Sequence, residues 1–154
     1  MFGAEYGFTD ILSTRSGDGG ATWSAPVRVN NNVEPLTQPS VAGRGTDQYM
    51  PGIAVDNWGV VGLCYYDRRS DPSNFLIDRR CARSWNGGTS WQNLYPPFNR
   101  RSFMSVTNQD LLLATDYMGD YDALASDFTK AHRGFVGGYG DNQTGQPDAR
   151  TNRF

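Results

Sequence analysis

Five polar or aromatic side chains border strand-like segments of this 154-residue chain and could carry out chemistry. Arg68 can hold a carboxylate through two parallel hydrogen bonds, and Asp67 can orient that guanidinium through a charge-assisted pair. Asp120 suits an acid/base or an oxygen ligand of Ca²⁺. Tyr121 can act as a nucleophile only if a neighbouring carboxylate takes its proton. Together with Tyr49, these residues are the candidate catalytic residues of the chain.

Each candidate also has a structural explanation, and the sequence leaves both open. Asp67 and Arg68 can cap and fix a loop, because short polar side chains bond readily to nearby backbone groups. Asp120 can hold its own turn in the same way, and Tyr121 can be a packed aromatic residue. We expect no organic cofactor; a structural Ca²⁺ ion at Asp120 is the alternative that the residues leave open.

Other chemistries have little material in this sequence. His132 is the only histidine, which argues against histidine-based metal sites and Ser-His-Asp triads. A formal net charge of −2 gives no reason to expect nucleic acid as a partner. No apolar run approaches the roughly 18 residues that would suggest a membrane span. Three isolated arginine pairs are more typical of a solvated surface: Arg68-Arg69, Arg79-Arg80 and Arg100-Arg101.

Two eight-residue motifs predict the turns that organise the strands. The first box is Ser16–Trp23 and the second box is Ser84–Trp91. In each, an Asp or Asn can accept hydrogen bonds from its own turn, glycines supply positive φ, and a Trp covers the turn. The residues at matching offsets are Ser16, Asp18, Gly20, Thr22 and Trp23 in the first box and Ser84, Asn86, Gly88, Ser90 and Trp91 in the second.

The residues before the two boxes also align, which indicates an internal repeat. Asp10–Ser16 matches Asp78–Ser84, and Arg15 falls on Arg83. Strand-like runs separated by turn residues predict an all-β protein of antiparallel meanders. The predicted strands of the first two units are residues 8–15, 23–29, 52–55, 60–66, 75–83 and 91–95. Residues 116–127 and 134–141 parallel the first two strands of the second unit, and residues 148–154 begin a further strand.

The run from Asp10 to Asp141 resembles the Asp-box (BNR) repeats of bacterial sialidase-like β-propellers. The resemblance is carried by the two boxes, by Met50–Asp56 and by Tyr65–Arg69. Propellers of this kind carry about six four-stranded blades around an axis. The resemblance therefore implies a single, incomplete propeller domain over residues 1–154. It comprises the outer hairpin of one blade (8–30), a complete blade (47–104) and most of a third (111–154).

The resemblance also implies a function. Sialidases use an arginine cluster for the substrate carboxylate, a Tyr nucleophile assisted by Glu, and an Asp acid/base, with retention. That site lies at the axial end of the inner strands, whereas the boxes are structural and lie at the outer hairpins. The implied function is a sialidase-like glycoside hydrolase relative, exo-acting on sialic acid or similar glycans. The alternative is a non-catalytic propeller module for carbohydrate or protein binding or scaffolding.

Two features depart from the sialidase pattern. The Arg-Ile-Pro motif of true sialidases is absent, and Glu5 and Glu34 are the only glutamates. The expected partners are a glycan or glycoconjugate and either a second copy of the chain or the remaining blades. The family resemblance suggests a secreted or periplasmic location, although the first residues do not read as a signal peptide.

Cys64 and Cys81 are the two cysteines, and the predicted meander places them on neighbouring strands. They can face each other and form a disulfide in an oxidising compartment. They can equally be two small buried hydrophobic residues, and the reduced state is the one that we favour.

Overall fold

The computed structural model describes residues 8–32, 46–71, 76–94, 122–127, 134–141 and 148–154. Within these ranges the protein is all-β, as predicted, and its strands form antiparallel sheets. The described residues contain no helix long and apolar enough to cross a membrane.

Three sheets follow one another along the chain. The first is a two-stranded hairpin, β1 (Leu12–Ser13) and β2 (Val27–Arg28). The central sheet has the order β3-β4-β5-β6, with β3 Gln48–Val55, β4 Val61–Asp67, β5 Asp78–Ser84 and β6 Gln92–Asn93. The third sheet has the order β7-β8-β9, with β7 Ala123–Asp127, β8 Gly134–Asp141 and β9 Asp148–Arg153.

The first hairpin has much shorter strands than the sequence predicts. Near the turn, side-chain hydroxyl groups form hydrogen bonds with the backbone in place of regular strand pairing. Thr14 Oγ1 donates to the Ser24 carbonyl (2.8 Å), and Ser24 Oγ accepts from the Arg15 N–H (3.2 Å). Pro26, two residues after Ser24, has no N–H to donate. Regular pairing is therefore confined to Leu12 with Arg28 and Ser13 with Val27.

The central sheet is covered on both faces, because the two other sheets pack against it. Leu63 and Tyr65 of β4 form a core cluster with Ile11 and Val29 of the first hairpin. On the other face, a Cβ atom at Gly62 would lie 2.6 Å from the Phe135 ring of β8. Alternate residues of a strand point to opposite faces, so β4 can serve both interfaces and is almost entirely buried.

The register reveals that the third sheet continues the repeat. Asp67 pairs with Asp78 across β4 and β5, and Asp141 pairs with Asp148 across β8 and β9. When these two pairs are aligned, β9 corresponds to β5 in the repeat. It therefore also corresponds to the Asp10–Arg15 segment, which the sequence already aligns with β5. Each of these segments then begins with Asp and carries Arg five residues later, as at Asp10 and Arg15.

Cys64 and Cys81 form a disulfide, so the preference for reduced cysteines was wrong. The two residues lie directly opposite each other on β4 and β5, with their Cα atoms 4.0 Å apart. This register brings the two side chains together on the face that packs against the third sheet, where Asn152 Nδ2 approaches Cys81 Sγ at 3.7 Å. Sequence spacing gave the neighbouring strands but not the residue-by-residue register.

Candidate functional site

Aromatic and charged side chains gather at the strand ends opposite the boxes. The chain enters β3 at Gln48, leaves β4 at Asp67 and enters β5 at Asp78, and these three residues lie side by side in the register. The second box joins β5 and β6 at the opposite end of the sheet. We call the group at the first end the Arg–Tyr cluster; it consists of Tyr49, Tyr66, Arg68, Arg79, Asp122 and Tyr139.

Arg79 is the most buried charge of the Arg–Tyr cluster, with a relative exposure of 0 %. Its Nη1 lies 3.0 Å from Oδ2 of Asp122, at the start of the third sheet. Its guanidinium also lies 5.1 Å from the ring centroid of Tyr66 and 6.0 Å from that of Tyr139. The Nε and Nη2 atoms of Arg79 are buried without a hydrogen-bond partner, so its donor capacity is only partly used.

Tyr66 shares Asp122 with Arg79. Its hydroxyl donates to Asp122 Oδ1 (3.1 Å) and accepts the N–H of Gly140 (2.9 Å). Burial, reinforced by the Asp122 charge, raises the pKa of Tyr66 well above its ordinary value, so the hydroxyl stays protonated at neutral pH. Burial also raises the pKa of Asp122 and lowers that of Arg79, although the ion pair between them opposes both changes.

Tyr49 and Arg68 form the more accessible half of the cluster. The Arg68 guanidinium lies 5.3 Å from the Tyr49 ring centroid, and its Nη1 is 3.9 Å from Oδ2 of Asp47. The Tyr49 and Tyr66 rings are 5.7 Å apart, which joins the two halves. Burial raises the pKa of Tyr49, and the neighbouring Arg68 charge opposes that rise. Arg68 keeps part of its side chain exposed, so it can meet a ligand from solution.

A bulge in β3 shapes this half of the cluster. The register shifts between Tyr49 and Gly52, and Met50 has a φ of 51°, in the left-handed region that non-glycine residues seldom adopt. Bulges bend a strand and redirect its side chains. This bulge lets Tyr49 and Met50 both pack on the cluster of Tyr66 and Ile77.

Asp67 does not pair with Arg68 as the sequence suggested. It is fully buried and accepts hydrogen bonds from the backbone N–H and the Nε of Arg69, both at 2.7 Å. Arg80 Nε lies 3.9 Å from the same carboxylate. Asp67 thus fixes the loop after β4 on the face toward the first hairpin, which matches the structural explanation left open for it.

Sequence reasoning placed some of this site and missed the rest. Asp120 and Tyr121 lie outside the described residues. Arg79 was expected on a solvated surface, yet it is buried, because the third sheet covers that face of β5. Its position within the predicted strand 75–83 was the one available signal. Tyr66 lies opposite Arg79 in the register of β4 and β5, whereas Asp122 and Tyr139 join them only through the stacking of the two sheets.

The boxes close on their own side chains, as predicted. Asp18 accepts from the N–H (2.9 Å) and the hydroxyl (2.6 Å) of Thr22, and Ser16 Oγ accepts the Gly20 N–H at 2.7 Å. In the second box Asn86 Oδ1 accepts the Ser90 N–H at 2.9 Å, and its Nδ2 donates to Ser90 Oγ at 2.8 Å. Positive φ occurs at Gly19, Gly20, Gly87 and Gly88. Side chains of each box thus form hydrogen bonds with backbone N–H groups of the same turn.

No protein-family model matches the chain, and no curated protein matches it either. The part of the chain that the structure describes contains no group of three or more His, Cys, Asp or Glu side chains able to hold a metal ion.

Proposed function

We propose that this chain is part of a sialidase-like β-propeller, related to exo-acting glycoside hydrolases, and that its Arg–Tyr cluster binds the carboxylate and ring of an acidic glycan. The observation that carries the proposal is the position of the cluster. Two arginines and three tyrosines meet at the strand ends opposite the boxes, which is the end where the resemblance puts a glycan site.

The packing of the sheets supports the propeller part of this proposal. A four-stranded antiparallel meander lies between two other antiparallel sheets, and β3 contacts β7 through Gly52 and Leu124. In a propeller the first strand of each blade is the innermost, so first strands of neighbouring blades meet near the axis. Tyr49 on β3 and Asp122 just before β7 would then both lie near that axis.

Arg68 is the residue best suited to the glycan carboxylate. Its ion pair with Asp47, at 3.9 Å, is long and partly exposed, so this contact contributes little. A ligand carboxylate can replace that contact with two short parallel hydrogen bonds. The Tyr49 ring beside it offers an apolar face to a sugar ring.

Tyr66 and Asp122 supply the hydrolase part of the proposal. A tyrosine nucleophile needs a carboxylate to accept its proton, and the Tyr66 hydroxyl already donates to Asp122. In a retaining reaction the Tyr66 oxygen would attack the anomeric carbon as the bond to the leaving-group oxygen breaks, with Asp122 taking the tyrosine proton and solvent protonating the departing oxygen. Water would then break the bond between Tyr66 and the sugar and return the proton to the tyrosine oxygen. Asp122 would then stand where sialidases use Glu.

Burial of the same pair favours the second candidate, a binding module without turnover. Tyr66 is 1 % exposed, and its hydroxyl makes two hydrogen bonds within the protein. On this alternative, Arg68 and Tyr49 bind the acidic glycan, whereas Tyr66, Arg79 and Asp122 only hold the two sheets together.

The deciding experiment measures glycan binding and hydrolysis of a fluorogenic sialoside in parallel. We expect Arg68→Ala to weaken binding of a sialylated oligosaccharide about tenfold or more. Arg28→Ala is the matched control, because Arg28 also forms a partly exposed ion pair, with Asp10 at 3.6 Å on the first hairpin.

Turnover distinguishes the two candidates. Hydrolysis that Tyr66→Phe abolishes, with binding retained, supports the hydrolase. Binding without hydrolysis supports the module. Absence of both binding and hydrolysis with sialylated and uronic-acid glycans would overturn the proposal.

A further inference from the structure

We propose that the outer face of the first hairpin, formed by Leu12 and Trp23, docks onto the β9 face of a second copy of this chain. In the contact, the Trp23 indole N–H donates to the Thr151 hydroxyl of the other copy. The two faces lie on different parts of the surface, so the association is head-to-tail.

The two box tryptophans have matching positions but different surroundings. Each lies against a glycine of its own turn, Trp23 near Gly20 and Trp91 near Gly88. Trp91 packs on the core cluster that contains Ile11 and Val29, and its Nε1 donates to Ser13 Oγ of the first hairpin at 2.8 Å. The second box thus shows what this tryptophan does when a neighbouring unit is present.

Trp23 makes no such contact. Its exposure is 63 %, and its Nε1 donates to the Gly20 carbonyl of its own turn at 3.1 Å. Leu12 on the adjoining strand is 60 % exposed. Because Ile11 and Val29 face the central sheet, Leu12 belongs to the opposite face of the hairpin, which no sheet of the described residues covers. A pocket of about 380 Å³ also lies beside Trp23, lined by residues of the first box and its flanks.

The β9 strand of the third sheet has an exposed hydroxyl at the position that corresponds to Ser13. Ser13, which accepts the Trp91 bond, lies three residues after Asp10, and Thr151 lies three residues after Asp148 in the matching segment. Asn152 points toward the central sheet, where it contacts Cys81. Its neighbour Thr151 therefore points to the other side, and it is exposed.

Side-chain sizes on the two faces fit each other. Ala149 and Thr151 of β9 are exposed, as are Ala123 and Ala125 of β7. Small residues let the large Trp23 and Leu12 side chains approach the sheet closely. The contact would repeat the interface between the first hairpin and the central sheet, again with an indole N–H donating to a hydroxyl oxygen. The β9 face that fits the hairpin belongs to this same chain, so a second copy is the partner that we propose.

The test uses two variants that each damage one face. Trp23→Ala removes the indole, and Thr151→Lys puts a charge on the β9 face; both sites are exposed, so the fold should survive. Trp85→Ala is the matched control, since Trp85 is 58 % exposed at the tip of the second box. Circular dichroism and a cooperative unfolding transition confirm that each variant is folded.

Sedimentation equilibrium gives the readout. We expect the native chain to self-associate with concentration, Trp23→Ala and Thr151→Lys to weaken this at least tenfold, and Trp85→Ala to behave as native. An equimolar mixture of the two damaged variants should form a heterodimer that grows no further, because the intact hairpin face of Thr151→Lys docks on the intact β9 face of Trp23→Ala and the two remaining faces are both damaged. A native chain that stays monomeric up to millimolar concentration, or a mixture that forms no heterodimer, would overturn the proposal.

Discussion

Asp18 and Asn86 show how one atom changes the electrostatics of otherwise matching turns. Both side chains accept the backbone N–H four residues later at 2.9 Å. Asp18 also accepts from two hydroxyl groups, Ser16 and Thr22, and these bonds hold its pKa well below its ordinary value. Asn86 instead donates to Ser90, so the second turn carries no titrating group.

This difference predicts a pH dependence for the first box alone. The pKa of Asp18 is lower in the folded than in the unfolded chain, so its stabilising contribution is complete above pH about 4 and is lost as the pH falls through the folded pKa. Asp18→Asn should remove this acid-dependent part of the free energy of unfolding, and Asn86→Asp should add a similar one. Urea unfolding from pH 2 to pH 6 measures both; equal acid slopes in all three proteins would contradict the prediction.

Arg79 and Asp122 form the second residue-scale case, a buried ion pair that joins two sheets. Asp122→Ala leaves the guanidinium buried and unpaired, which should cost about 3–5 kcal/mol in the free energy of unfolding. The double variant Arg79→Met with Asp122→Ala should recover a large part of that loss. Arg28→Ala breaks a partly exposed pair and should cost less than about 1 kcal/mol. An Asp122→Ala cost as small as that of Arg28→Ala would contradict this account.

Among the elements, β4 and β5 pair without a register shift from Val61 with Ser84 to Asp67 with Asp78. This pairing brings Cys64 directly opposite Cys81. The meander follows from turn residues and strand-like runs, but only the register decides which side chains meet across it. The same pairing aligns Tyr66 with Arg79, which is how two members of the Arg–Tyr cluster come to share one face.

The disulfide gives a direct prediction at this scale. Unreduced, denatured protein should show no free thiols, and two thiols per chain would exclude the bridge. Because the bridge closes a loop between residues 17 apart in sequence, Cys64→Ser with Cys81→Ser should lower the free energy of unfolding by about 2–4 kcal/mol. Far-ultraviolet circular dichroism at low temperature serves as the control that the double variant still folds.

In the whole molecule, stability depends on how closely the three sheets stack. Gly62 marks the tightest contact with the third sheet, since a Cβ atom there would lie 2.6 Å from Cδ2 of Phe135. Rigid packing at this point keeps Asp122 and Gly140 beside Tyr66. The geometry of the Arg–Tyr cluster thus depends on an interface and not on one sheet.

Alanine at two glycines tests this contact. Gly62→Ala should cost about 1–3 kcal/mol in the free energy of unfolding, because the ring must move. Gly138→Ala is the matched control on β8, where no atom lies within 4 Å of the added carbon, and its effect should be near zero. In a Phe135→Leu background, Gly62→Ala should lower the free energy of unfolding by less than it does in the native chain. The unfolding measurements use dilute protein. Equal losses in the free energy of unfolding for the two alanine substitutions would contradict the stacking described here.

The sequence by itself determined the turns, the strands and their antiparallel order, because these depend on contacts between near neighbours. The hydrogen bonds of each box join residues at most four apart, so residue type and spacing are sufficient to predict them. Tertiary structure decided the Cys64–Cys81 bridge, the loop-fixing role of Asp67 and the burial of Arg79. Arg79 meets Asp122 across 43 residues, and which face of β5 the third sheet covers is set by packing between sheets, which strand periodicity does not encode.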